Sequence, residues 1–273
     1  MNTLKVAMIQ MNIDKYISKN IDTTNNFIKK VAKENVDIAI LPEMFCCPYE
    51  TSNFPLYSQQ ENSPCYLSIS NMAKKNKIYI VAGSMPERDE NGNIFNTSYV
   101  FDRNGNQIAK HRKMHLFDIQ IEGGQHFKES DKLSAGNNVT VFNTEFCKIG
   151  LAICYDIRFP ELSRLMVDNG AKIIIIPAAF NMSTGPSHWE ILFKSRALDN
   201  QVYTIGVSSA RNYDAPYISY GNSIIVSPWG EIIERMDENE GYRVCTLDLD
   251  YVDKIRKELP LLKHRRKDIY KLT

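Results

Sequence analysis

Cys154 is the residue best placed for chemistry in this sequence. Ile149 to Ile153 is a short apolar run that predicts a strand, and it leads directly into Cys154, Tyr155 and Asp156. Pro160 and Glu161 mark the first turn of a helix, with Asp156 as its expected cap. A thiol at such a strand end, facing an electropositive helix terminus, is expected to ionise more easily than a free cysteine. The opposing reading is a small buried apolar residue, the usual role of an unpaired cysteine. Glu43 follows the strand Val36 to Leu41, which Pro42 stops, and so stands at the carboxyl end of a sheet strand, where α/β folds place ligands. Lys113 ends a basic run, His111-Arg112-Lys113, that taken alone predicts a solvated position. Together the three form a coherent device. A carboxylate raised by burial can take the thiol proton, while a buried ammonium and the Tyr155 N–H can hold an oxyanion. A Cys–His pair would have to use His115 or His188, and neither has a neighbouring sequence that marks it as a base.

The elements that must position these groups alternate between strand–helix–strand units and hairpins. Strands are expected at Met1 to Gln10, Val36 to Leu41, Ile78 to Gly83, Ala171 to Ile176, Val202 to Ser208, Ser223 to Ser227, Glu231 to Glu234 and Val244 to Leu249. Hairpins are expected at Asn96 to Lys110 and Thr140 to Ile153, and helices at Ile17 to Asn35, Pro64 to Lys75, Phe159 to Asn169 and Ser187 to Asn200. Two stretches, Met44 to Pro64 and Met114 to Gly136, read as long loops, a length that usually signals function. This alternation predicts mixed sheets within an α/β fold: two stacked sheets with helices on the outer faces, over one domain, 1–273.

Composition excludes several classes. Lys and Arg number 33 against 32 Asp and Glu, so no global field draws nucleic acid or an anionic membrane. The basic cluster Lys263 to Lys267 reads as a solvated or rim segment. No apolar stretch approaches the ~18 residues of a membrane span, and the N-terminus begins as a strand without a leader pattern, so a cytoplasmic protein is expected. The 6 cysteines form no CxxC pair, which argues against zinc and against a disulfide framework.

The segments Ile38-Ala39-Ile40-Leu41-Pro42-Glu43, Lys110 to Phe117 and Ile149 to Glu161 resemble, in order and across the chain, the three motif regions of the carbon–nitrogen hydrolase (nitrilase) superfamily. The resemblance implies an α/β/β/α sandwich, assembly as dimers or larger homo-oligomers, and a Glu–Lys–Cys triad on Glu43, Lys113 and Cys154. Glu129 corresponds to a second pocket glutamate that orients the lysine and the substrate nitrogen. Neither metal nor organic cofactor is implied. The run Pro177 to Glu190, continued by Arg196 to Tyr203 and matched by His115 to Ile119, is similar to the omega-amidases, which hydrolyse the side-chain amide of 2-oxo acids such as 2-oxoglutaramate and 2-oxosuccinamate. For such a substrate, Arg158 is the expected carboxylate partner. Phe180, Thr184 and Tyr155 join it at the site, and Tyr49 is expected to close over the amide. Gln120, Glu122 and Gly124 depart from the more acidic, proline-containing turn of the animal enzymes. The alternatives are another amidase of the superfamily, acting on deaminated glutathione, an N-carbamoyl amino acid or N-carbamoylputrescine, and a non-catalytic 2-oxo acid binding protein.

Overall fold

The computed structural model describes residues 2–120, 122, 126–269 and 272. The first half supplies β1 (Thr3–Gln10), β2 (Ile38–Ile40), β3 (Tyr79–Val81), β4 (Met85–Arg88), β5 (Ile94–Phe101) and β6 (Gln107–Arg112). A small hairpin, β7 (Asp118–Gln120) with β8 (His126–Lys128), follows. The second half supplies β9 (Thr140–Asn143), β10 (Lys148–Leu151), β11 (Ile173–Ala178), β12 (Tyr203–Ser208), β13 (Ile224–Val226), β14 (Ile232–Arg235) and β15 (Gly241–Asp248). The helices are α1 (Ile17–Ala32), α2 (Asn53–Tyr57), α3 (Pro64–Asn76), α4 (Pro160–Asp168), α5 (Gly185–Asn200), α6 (Leu249–Glu258) and α7 (Leu261–His264).

One sheet runs β15-β1-β2-β3-β5, with β4 and β6 also paired to β5; the other runs β14-β13-β12-β11-β10-β9. Each has a parallel centre, β1-β2-β3 and β10-β11-β12, with antiparallel strands at its margins. The mixed sheets expected from the sequence are therefore present.

Strand periodicity builds the four layers, because alternate side chains point to opposite faces. Leu4, Val6, Met8, Ile38 and Ile40 of the first sheet meet Ile149, Leu151, Ile173, Ile175, Ile205 and Val207 of the second in one apolar interface. The intervening Ala7, Ile9, Ala39 and Leu41 face Phe27, Ile28, Val31, Ile69 and Ala73 of α1 and α3. On the far side, Ile174 and Ile176 face Leu162, Met166, Trp189 and Phe193 of α4 and α5. The result is the α/β/β/α sandwich.

Several expectations need correction. The stretch 44–64 carries α2, and 114–136 carries the β7–β8 hairpin, whose short strands are too polar for alternation to reveal them. Gly123 and Gly124 lie outside the described residues. Strand β4 pairs with β5 although Pro86 interrupts its pattern, and α6 extends the chain beyond β15. The basic cluster does not simply trail into solvent, because Arg265 docks on Asp168 of α4 at 2.7 Å. The helix after Cys154 begins only at Pro160, and a 3-10 turn, Cys154–Arg158, precedes it.

Candidate active site

Glu43 leaves β2 at the sheet's carboxyl end and is fixed by the crossing segment at Ser84. Met44 N–H donates to Ser84 Oγ at 3.0 Å and Phe45 N–H to Ser84 O at 3.0 Å. This close passage needs Gly83, which has φ +45°, and a Cβ there would stand 1.9 Å from Pro42 O. Glu43 itself is 1% exposed.

The basic run that holds Lys113 is divided by strand alternation. Lys110 and Arg112 point to one side and share Glu87, at 2.6 and 2.7 Å. His111 and Lys113 point inward and are buried. The Lys113 Nζ donates to Glu43 Oε1 at 3.0 Å, and it meets Glu129 through Oε1 at 3.0 Å and Oε2 at 2.9 Å. Its main chain is held by Asn96, which accepts from Lys113 N–H at 2.8 Å and donates its own Nδ2 to Glu43 Oε1 at 2.8 Å. A solvated lysine, the expectation from the run alone, is ruled out.

Glu129 is also fully buried, and its Oε2 accepts the Phe117 N–H at 2.6 Å. Tyr49 joins the same network, donating to Glu129 Oε1 at 2.7 Å and lying 3.3 Å from both Glu43 Oε1 and Lys113 Nζ. Its ring is boxed by Phe54, Phe127 and Tyr217. Tyr49 is thus a buried member of this network.

Cys154 has φ +46°, an uncommon region for a side chain with a Cβ and the kind of local strain that functional turns hold. The thiol is 5% exposed. Burial pushes its pKa well up and the Glu43 carboxylate pushes it further, against Lys113 and the Ala179 N–H directed at the sulfur. The expectation of an easily ionised cysteine is therefore corrected: the electropositive turn does not outweigh desolvation, and the resting group is a thiol. Burial likewise raises Glu43 above 4.5, Lys113 opposing and Glu129 reinforcing the shift. Burial works against the Lys113 ammonium, but the attraction of Glu129 and Glu43 is larger and leaves its pKa raised. Glu43 Oε1 is occupied by Lys113, Asn96 and Tyr49, and the carboxylate is also hydrogen-bonded to the Cys154 thiol, the contact through which a proton can pass. A carboxylate hydrogen-bonded to a thiol is an arrangement across which a proton can be transferred.

The other expected residues lie in the segments that follow Cys154 and β11. Tyr155 is the second residue of the 3-10 turn, where the first N–H groups lack intrahelical acceptors. Arg158, at the end of that turn, lies over the rings of Tyr155 and Phe180 at 5.5 and 5.0 Å and meets His188 Nδ1 at 3.1 Å. Its Nε is without a hydrogen-bond partner. Phe180 is buried against Trp189. Thr184 precedes α5 with its hydroxyl turned to Asn181 Oδ1 at 3.0 Å. Neither candidate histidine is placed as a base: His188 is exposed and bonded to Arg158, and His115 is held by Asp156 at 2.8 Å.

Asn96 and Tyr217 were not anticipated. Asn96 had a signal, since it is a polar residue inside Ile94–Phe101, a strand buried at every position. Tyr217 had none, because it lies in an irregular segment, 209–222. Its hydroxyl donates to Ala179 O at 2.5 Å, and it lines a cavity of about 50 Å³ with Glu43, Tyr49, Ala179 and Ser219.

Two buried glutamates, a buried ammonium and a cysteine at a positive-φ turn are thus brought together in an α/β/β/α sandwich. The carbon-nitrogen hydrolase family matches residues 5–257, and the chain belongs to that family. It is 42% identical over 270 residues to the omega-amidase NIT2-A of Xenopus laevis, covering 99% of this chain and 98% of that protein. It is 39% identical to the human omega-amidase NIT2, again over 99% of this chain and 98% of that one. Among solved structures, Saccharomyces cerevisiae Nit3, described as a member of branch 10 of the nitrilase superfamily, superposes with a TM-score of 0.90 at 40% identity. That match covers 97% of each chain. The Caenorhabditis elegans NitFhit protein superposes with a TM-score of 0.91 at 30% identity, over 100% of this chain and 67% of its own.

Proposed function

We propose that this chain hydrolyses the side-chain amide of 2-oxo acids, such as 2-oxoglutaramate and 2-oxosuccinamate, to the 2-oxo dicarboxylate and ammonia. The observation that carries the reading is the buried Glu43–Lys113–Glu129 cluster beside Cys154, in a chain similar over its length to omega-amidases. Residues 1–273 act as one hydrolase domain on this reading, in the cytoplasm, as a homodimer or larger homo-oligomer.

In the mechanism, the Glu43 carboxylate takes the Cys154 proton as the sulfur attacks the amide carbon. Moving the proton between two buried partners avoids the cost of a free thiolate. The developing oxyanion is held by Lys113 Nζ and the Tyr155 N–H. Protonated Glu43 passes its proton to the departing nitrogen, so ammonia leaves and a thioester remains on Cys154. Glu43 then takes a proton from water, whose oxygen attacks the thioester, and returns the proton to the departing sulfur. Glu129 holds Lys113 and faces the amide nitrogen.

Arg158 supplies the cation for the distal carboxylate. Its aromatic flanks fix the guanidinium plane, and its unpartnered Nε leaves a donor for the ligand. Phe180, Tyr155 and Thr184 complete the wall around the chain of the substrate. Arg158→Met is expected to raise KM for 2-oxoglutaramate by about 30-fold or more, in line with loss of a charged hydrogen bond, with kcat changed far less. An unchanged KM would remove Arg158 and, with it, the recognition of an acid. The pH profile is a second check. Glu43 must be ionised to act and its pKa is raised above 4.5, so the acid limb of kcat/KM should lie above that value.

A further inference from the structure

Asp156, two residues after the nucleophile, is fully buried and takes no part in the chemistry above. Its Oδ2 accepts the Ile153 N–H at 3.0 Å and meets His111 Nε2 at 3.1 Å. Its Oδ1 accepts the His115 N–H at 2.9 Å and meets His115 Nδ1 at 2.8 Å. Ile153 immediately precedes Cys154, while His111 and His115 flank Lys113 by two residues on either side. One carboxylate therefore ties the nucleophile's turn to both sides of the lysine that holds the oxyanion.

We propose that Asp156 is a positioning residue that sets the Cys154 turn in register with Lys113 through His111 and His115. The two backbone N–H groups can only donate, so the carboxylate must be the acceptor, and an acceptor with two oxygens is needed to serve both segments. The other ring nitrogen of His111, Nδ1, lies 2.9 Å from the Thr140 hydroxyl, which orients the ring from the far side. The His115 ring is stacked on Phe159, with centroids 3.7 Å apart and an interplanar angle of 11°, so it too is held. Burial disfavours the Asp156 charge, but the bonds from His111 and His115 outweigh it and hold the carboxyl well below 3.8. The tie therefore persists throughout neutral and mildly acidic pH. The turn it secures carries the φ of +46° at Cys154, a conformation the chain would otherwise relax. A misplacement of about 1 Å between reacting groups costs about 100-fold in rate.

This inference rests on Cys154 being the nucleophile, and the experiment separates the two. Wild-type turnover of the 2-oxo acid amide, and its loss in Cys154→Ala, test the reaction itself. For the tie, Asp156→Asn keeps the size but replaces one acceptor with a donor facing Ile153 or His111. It is expected to lower kcat about 100-fold, with KM changed less than threefold, and to slow iodoacetamide alkylation of Cys154 by at least tenfold. Circular dichroism should remain that of the folded chain. His111→Gln and His115→Ala, which cut one strut each, are expected to give smaller losses in the same two readouts. They carry the test if Asp156→Asn does not fold. Folded variants with wild-type kcat and alkylation rate would overturn the proposal, as would losses that only track a lowered melting temperature.

Discussion

Cys154→Ala is expected to abolish ammonia release, by about 10⁴-fold or more, while leaving a folded chain. The substitution removes one sulfur atom from a buried position and adds no polar group. Its cost to the fold is therefore about that of a small buried apolar group, ~1 kcal/mol. Its cost to the reaction is the whole covalent route, because His115 and His188 are bonded elsewhere and the Cys47 thiol, which lines the same cavity as Glu43, is turned to Pro48 O at 3.4 Å. Cys154→Ser should fail almost as completely, since the hydroxyl is a far weaker nucleophile than a thiolate and Glu43 is matched to a thiol. Parallel ammonia assays and thermal melts check both claims. A folded Cys154→Ala chain with full turnover would dismiss the mechanism.

Lys113→Met carries the second large effect, and here activity and stability fall together. The ammonium is bonded to two buried carboxylates, Glu43 and Glu129, and removing one partner of a buried charge cluster costs about 3–5 kcal/mol. For a domain of this size each kcal/mol lowers Tm by about 2–4 °C, so a fall of about 10 °C is expected. The turnover loss should be at least about 100-fold, the usual cost of one oxyanion donor. The sign of the pH dependence follows from the direction of the shift. The Lys113 pKa is raised on folding, so its stabilisation is fully present below 10.5 and is lost only as pH rises beyond it. The Tm difference between wild type and Lys113→Met should therefore be maintained from pH 6 to 9. A difference that vanished at pH 9 would mean that Lys113 is not the charged partner of both glutamates.

Much of this site could be read from local pattern. Pro42 ends a buried strand and leaves Glu43 at the sheet's carboxyl end, and the apolar run to Ile153 delivers Cys154 in the same way. Both assignments need only strand periodicity and a stop signal. The inward course of Lys113 was visible only through the motif resemblance, because a run of four basic residues hides the alternation that sends Lys110 and Arg112 to Glu87 and His111 and Lys113 inside. The ionisation of Cys154 was misjudged for a physical reason: a helix terminus is a local feature, whereas desolvation depends on what the rest of the chain places overhead. Segment 209–222, with Tyr217 on Ala179, is part of that cover and has no periodic signature. The sequence suggests Asp156 as the cap of the helix that begins at Pro160, but Phe159 holds that cap position without a side-chain bond and Asp156 turns back to accept the Ile153 N–H. That it also reaches His111 and His115 depends on the strand end packed against it, which no local pattern reports.

The most direct measurement is ammonia release by the purified chain from 2-oxoglutaramate, 2-oxosuccinamate, deaminated glutathione and N-carbamoylputrescine, assayed in parallel. The account predicts fast release from the first two, abolished in Cys154→Ala, and little from the others. Release only from deaminated glutathione or N-carbamoylputrescine would contradict the assigned substrate class and the role of Arg158, while leaving the Glu43–Lys113–Cys154 chemistry in place.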